Sequence, residues 1–236
     1  MTDLTNQKCI AIIAAIEYEG ELISKELQDA KKTVILGKTV YEGTIGKNNV
    51  VVMCCGMGKV SASIGTQALI DRYHPDCIIN TGCAGALSPK LGIGDLVLSE
   101  SVVEWDLDLR AIGFPLGYID AIGCVEMKAD AELCQQIESS IPKEEKVLRG
   151  QIASGDQFVS TKAQRENLRE NFPNALCAEM EGAAVGHTCL QNNVPFCIVR
   201  AMSDTADGDS GIDFARFSNI VSEKSAAWLL NYLKKQ

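Results

Sequence analysis

A chain of 236 residues lies near the upper end of what one hydrophobic core supports, and 46% hydrophobic content is ample for it, so one domain over 1–236 is expected. The formal net charge of −9 excludes general binding to nucleic acid, whose phosphates such a surface repels. No apolar run reaches the roughly eighteen residues of a membrane span, so no membrane partner is expected.

The ten cysteines are scattered, with no CxxC pair. Most stand in apolar runs such as Val51-Val52-Met53-Cys54-Cys55, where a cysteine acts as a small buried hydrophobe. The polar stretch Thr2 to Lys8 has no signal-peptide character. A reduced, cytoplasmic location with free thiols is the expectation.

Apolar Lys8 to Ile16 predicts a buried first strand, and Glu17 to Gln28 a helix with Leu22, Ile23 and Leu27 on one face. Thr33–Leu36, Thr39–Ile45 and Asn49–Cys55 read as strands punctuated by Gly37 and Gly46-Lys47-Asn48-Asn49. Gly56-Met57-Gly58-Lys59 leads into a helix over Val60–Tyr73. Cys77–Asn80 is a short strand ending in a glycine-rich turn, Thr81-Gly82-Cys83-Ala84-Gly85. Asp95–Val103 is another strand, and Glu104–Cys124 a long ordered loop, of a length that often serves function. Helices are expected over Ala129–Ser140, Thr161–Asn171, Glu181–Gln191 and Ile212–Lys235, with strands over Val147–Ala153, Ala175–Met180 and Val194–Met202. The alternation predicts an α/β fold with helices on both sheet faces.

Polar residues collect where strands end, the edge at which open α/β sheets hold small ligands. Glu17 and Glu19 follow the first strand, and they equally suit the acidic first turn of a helix. Thr81 to Gly85 lets backbone approach a ligand, and it equally suits a tight turn. In Ser154-Gly155-Asp156-Gln157-Phe158, Asp156 suits a helix cap and Phe158 the core. Ala178-Glu179-Met180-Glu181-Gly182 and Arg200-Ala201-Met202-Ser203-Asp204 place three acids at strand ends, although Asp204 alone also suits an N-cap. Neither a P-loop nor GxGxxG is present.

Taken in order, Ala14-Ala15-Ile16-Glu17-Tyr18-Glu19, Gly56-Met57-Gly58-Lys59-Val60, Asn80-Thr81-Gly82-Cys83-Ala84-Gly85 and the three later segments resemble the 5′-methylthioadenosine/S-adenosylhomocysteine nucleosidases of the nucleoside phosphorylase superfamily. The resemblance runs nearly end to end. It implies a three-layer α/β/α sandwich around a twisted mixed sheet, a homodimer, a small nucleoside substrate, and no cofactor or metal.

The resemblance also implies roles. Asp204 matches the general acid serving N7 of adenine, with Ser203 orienting it, and Glu19 the acid that holds and activates water. Glu181 matches the ribose-binding carboxylate, with Met180 and Met57 against the sugar and Glu179 either a second ribose contact or structural. Phe158 would stack on adenine and the Val159 backbone would bond its edge, while Cys83, Ala84 and Gly85 match a turn beside water and base. Ile16 and Phe214 match walls of an apolar alkylthio pocket. Leu109 and Ile112 match residues reaching across a dimer interface. For Leu109, Ile112 and Phe214, plain core packing stays open.

Three positions depart from the family pattern: Cys83 where serine is usual, Trp105 where a smaller polar or imidazole group is common, and small Gly182 after Glu181. His74 and His187 lie outside the matched segments and read as structural. Two alternatives stand beside hydrolysis of these thionucleosides. One is another enzyme of the same fold, a purine nucleoside phosphorylase or a nucleoside hydrolase such as futalosine hydrolase. The other is a nucleoside-binding protein without catalysis.

Overall fold

Alternation along the first strand sets the layers. In β1 (Cys9–Ala14) Ile10 and Ile12 point to one face and Ala11 and Ile13 to the other, and all four are fully buried. Both faces must therefore be covered, and they are. The structure, a computed structural model, describes residues 7–206 and 210–236. The polar stretch read from Thr2 falls mostly outside them.

On one side α1 (Glu17–Lys25), α3 (Ala131–Ser140) and α6 (Ser210–Lys235) share a core with Ile10, Ile12, Val50 and Val52, to which they bring Ile23, Ile137 and Leu229. On the other, α2 (Lys59–Tyr73) and α5 (Gly182–Gln191) add Leu69 and Val185 to Ala11, Ile13, Val51 and Met53. A smaller cluster lies under α4 (Lys162–Asn171), where Leu168 and Phe172 pack with Val103 and Trp105.

Between them, among the described residues, runs one mixed ten-stranded sheet. β1 pairs in parallel with β4 (Asn48–Cys54) and with β5 (Cys77–Ala86). Beyond β4, β3 (Lys38–Ile45) and β2 (Gln28–Ile35) form an antiparallel hairpin closed by Leu36 and Gly37, both at positive φ. On the other side β5 pairs with β10 (Phe196–Asp204), β10 with β6 (Leu96–Glu104), β6 with β8 (Val147–Ser154), β8 with β9 (Ala175–Glu179), and β9 returns to β5. Those five strands close into a ring, and the two-residue β7 (Met127–Lys128) flanks β6.

Three expectations need correction. The first helix stops at Lys25, because Gln28 already pairs with Thr44. Thr81 to Gly85 is no turn: it continues β5, paired residue for residue with Val199 to Met202 and, at Gly85, with both Asp204 and Ala178. Glu104 to Cys124 is not one loop, since β6 runs through Glu104, Arg110–Ile112 forms a 3₁₀ turn and Ile119 bridges Cys124.

Candidate active site

The strand ends surround one cavity of about 700 Å³, counted with its open mouth. Ile16 enters from the β1–α1 connection and Glu19 from the first turn of α1, Met57 from the β4–α2 connection, and Cys83, Ala84 and Gly85 from β5. Phe158 and Val159 come from the β8–α4 connection, Glu179, Met180 and Glu181 from β9 and the residues after it, Ser203 and Asp204 from β10, and Phe214 from α6. Leu109 and Ile112 do not line it; Ile112 is 71% exposed, so core packing does not account for it.

Glu19 is only 4% exposed. Its Oε2 accepts from the backbone N–H groups of Ala15 (3.0 Å) and Ile16 (3.1 Å), the residues entering α1. The N-terminal helix role is therefore real, but it uses one oxygen. Oε1 turns to β5, where the Cys83 N–H donates at 3.2 Å and the Cys83 thiol lies at 3.5 Å. Burial raises the Glu19 pKa against the opposing field of Arg200 and these donors. The neighbouring Cys83 thiol is pushed well up by burial and by Glu19, and so stays protonated. Gly82 explains how the carboxylate fits: a Cβ there would stand 2.6 Å from Glu19 Oε1.

A second cluster lies under the wall formed by Glu179, Met180 and Glu181. Arg200, at 1% exposure, donates Nε and Nη2 to Glu179 Oε2 and Nη2 to Asn80 Oδ1 at 2.5 Å. Glu179 Oε2 also accepts from the backbone of Glu181 (3.0 Å) and Gly182 (2.8 Å), and Ser154 Oγ donates to its Oε1. Glu179 thus lines the cavity with both oxygens committed to holding the start of α5. Glu181 Oε1 accepts from the Gly58 N–H at 2.8 Å, and Arg200 Nη2 stands 3.9 Å from its Oε2. Burial, and next the charge of Glu179, push the Glu181 carboxyl up to about 7. For Arg200, burial opposes the charge, but Glu179 and Glu181 outweigh it and raise its pKa.

Asp204 ends β10 as a buried acid, and its N-cap reading fails because Thr205 and Ala206, which follow it, are not helical. Ser203 Oγ donates to Asp204 Oδ1 at 3.1 Å. Gly85 keeps the space beside it, since a Cβ there would sit 3.1 Å from both Asp204 oxygens. At the mouth, Phe158 and Phe214 meet edge to face at 5.3 Å. Phe158 is 45% exposed, so it covers the cavity rather than filling the core.

Supports behind the wall were not legible in sequence. Asp156 caps α2 rather than its own helix, accepting from the Lys59 N–H at 2.8 Å, while Asp106 accepts from the Asp156 N–H at 2.7 Å. Lys59 Nζ reaches Asp106 (2.7 Å) and Glu104 (3.1 Å), and His187 bonds Glu104 at 3.0 Å. Trp105 packs behind the site on Gly155 and does not line the cavity. Arg165 and Gln157 do line it; Gln157 stands inside the Ser154–Phe158 segment, where Asp156 and Phe158 draw the attention, and no motif marks Arg165, which sits in an ordinary polar stretch. Among the described residues no group of three or more His, Cys, Asp and Glu could hold a metal ion, and no helix is long and apolar enough to cross a membrane.

The Phosphorylase superfamily description matches residues 9–234. A 5′-methylthioadenosine/S-adenosylhomocysteine nucleosidase of Staphylococcus saprophyticus is 41% identical over 209 residues, 88% of this chain and 91% of that one. The S-adenosylhomocysteine nucleosidase of Streptococcus pyogenes, solved with 5-methylthiotubericidin, superposes with a TM-score of 0.93 at 33% identity, covering 98% of each chain. The futalosine hydrolase of Helicobacter pylori strain 26695 gives a TM-score of 0.91 at 28% identity, covering 97% of this chain and 98% of that one.

Proposed function

Because the chain belongs to the 5′-methylthioadenosine/S-adenosylhomocysteine nucleosidases, within the phosphorylase superfamily, we infer that it hydrolyses the N-glycosidic bond of 5′-methylthioadenosine and S-adenosylhomocysteine, releasing adenine and the 5-thioribose product. The observation that carries this reading is the pair of buried carboxylates Glu19 and Asp204 on the walls of one cavity, with Glu181 between strand ends beside them.

Cleavage builds positive charge on the ribose and negative charge on the departing base. Asp204, oriented by Ser203, gives a proton to N7, so that adenine leaves as a neutral molecule. Glu19 takes a proton from the attacking water; its raised pKa makes it a stronger base than an exposed carboxylate. Glu181 binds the ribose hydroxyls, and its carboxylate favours the oxocarbenium-like sugar as it forms. Met180 and Met57 pack on the ribose, Phe158 stacks on the base, the Val159 backbone bonds its edge, and Ile16 and Phe214 wall the alkylthio group. Glu179 acts through the backbone that holds Glu181.

Phosphate as nucleophile would need a cation facing it. Arg200 is committed to Glu179 and Asn80, and Lys59 to Glu104 and Asp106; among the described residues Arg165 is the cation that lines the cavity, and the buried Glu19 carboxylate repels an anion from the nucleophile's place. Adenine release by the purified protein in phosphate-free buffer tests this; cleavage that requires phosphate would overturn it. The likeness to a futalosine hydrolase favours including futalosine in the same substrate panel.

The finer reading is a cytoplasmic, single-domain homodimer working in methionine salvage. The exposed apolar residues Ile112, Val60 and Ile64 support a face for a second copy, with Leu109 and Ile112 reaching the neighbouring site. Sedimentation at micromolar concentration tests it: a monomer would refute the dimer.

A further inference from the structure

A second groove of about 1310 Å³, counted with its open side, adjoins the catalytic cavity and shares Ala15, Ile16 and Met57 with it. It therefore opens where the alkylthio wall ends. Its floor is Val52 and Cys54 from β4, with Gly56 beyond; its sides are α1, carrying Glu17, and the start of β3, carrying Lys38.

Opposite charges flank it. The hairpin turn Leu36-Gly37 fixes Lys38 as the first residue of β3, paired with Ile35. A Cβ built on Gly56 would stand 3.6 Å from Lys38 Nζ, so the ammonium lies beside the residue that precedes Met57. Among the described residues Lys38 has no hydrogen bond or ion pair, whereas Glu21 on the same groove is paired with Lys25 at 2.7 Å. Glu17 is exposed on the facing helix. Burial pushes the Cys54 thiol up to about 11; Glu19 and Glu17 add to the rise, while Lys38 opposes it, so both groove charges are felt by one neutral group between them.

A methylthio group ends inside the apolar wall and needs none of this. The homocysteine tail of S-adenosylhomocysteine continues past the sulfur and carries an α-carboxylate and an α-ammonium. We propose that the groove is the subsite for this zwitterionic tail, with Lys38 binding the carboxylate and Glu17 the ammonium, so that these two residues set the preference between the two substrates. The proposal rests on the nucleosidase reading above.

The experiment compares kcat/KM for S-adenosylhomocysteine and 5′-methylthioadenosine in wild type, Lys38→Ala and Glu17→Gln, with 5′-(3-aminopropylthio)-5′-deoxyadenosine as a third substrate that keeps the amine and lacks the carboxylate. The ratio of S-adenosylhomocysteine to 5′-methylthioadenosine falls about fivefold in either variant, through KM, the size expected for one solvent-exposed charge contact. The ratio of the aminopropyl compound to 5′-methylthioadenosine falls in Glu17→Gln and holds in Lys38→Ala. Unchanged ratios in both variants, with both natural substrates cleaved by wild type, overturn the tail subsite and leave the nucleosidase reading standing. Wild type that cleaves neither nucleoside overturns both.

Discussion

Arg200 Nε lies 3.2 Å from Glu179 Oε2, so the buried guanidinium faces the support of the cavity rather than a ligand within it. Removing the arginine strands charge behind the wall. Arg200→Met leaves Glu179 and Glu181 without their counter-ion, and breaking a buried pair in this way costs about 3–5 kcal/mol. Urea unfolding at neutral pH reads this directly; a loss below about 1 kcal/mol would refute the guanidinium as the support of these carboxylates.

Glu19→Gln keeps a carbonyl oxygen able to accept from the Ala15 and Ile16 N–H groups, and so preserves the start of α1. It removes the base. Turnover falls by about 100- to 10,000-fold while binding of a non-hydrolysable analogue persists. Asp204→Asn behaves likewise, because it removes the acid and leaves the shape. Single-turnover adenine release and calorimetric titration separate chemistry from binding, and near-normal turnover in either variant would strike that residue from its role.

Two glycines of β5 differ in how closely they guard an acid. A Cβ on Gly82 meets Glu19 Oε1 at 2.6 Å, against 3.1 Å from Gly85 to the Asp204 oxygens. Gly82→Ala therefore displaces its carboxylate more, with turnover reduced about 100-fold, as for other misplacements near an ångström. Gly85→Ala loses less. Parallel kcat measurements test the order, and the reverse order would refute it.

The raised Glu181 carboxyl makes stability depend on pH. Its folded pKa, about 7, lies above the unfolded value of 4.5, so the folded state holds the extra proton between them. The contribution is fully present below the unfolded value and is lost as pH rises through about 7. In Glu181→Gln this loss is absent. The difference in urea midpoint between wild type and variant, followed from pH 4.5 to 8, therefore shifts against wild type as pH rises. A flat difference would show that Glu181 is ionised throughout.

Much of this was legible in sequence. The continuous apolar run of the first strand and the alternation of strands with helices forecast a sheet covered on both faces, and Ile10 and Ile12 divide from Ala11 and Ile13 between its two cores. In the sequence Glu19, Glu181 and Asp204 stand out as acids where strands give way to other structure. The reading failed where local pattern and pairing diverge. Thr81-Gly82-Cys83-Ala84-Gly85 looks like a turn because glycine is rare in strands, yet it is strand because β10 bonds it throughout.

By itself the sequence determined which faces are apolar, which strand ends carry acids, and the order in which these occur along the chain. Those properties are written in neighbouring residues. Only tertiary structure decided that β5 closes a ring with β10, β6, β8 and β9, that Asp156 caps a helix nearly a hundred residues before it, and that Arg200 serves Glu179 instead of the ligand. It also decided which oxygen of Glu19 holds its helix and which turns toward Cys83, 64 residues on. Such partners are chosen by packing between distant segments, because a buried charge or donor takes whichever group the fold brings within reach, and no local period records that choice.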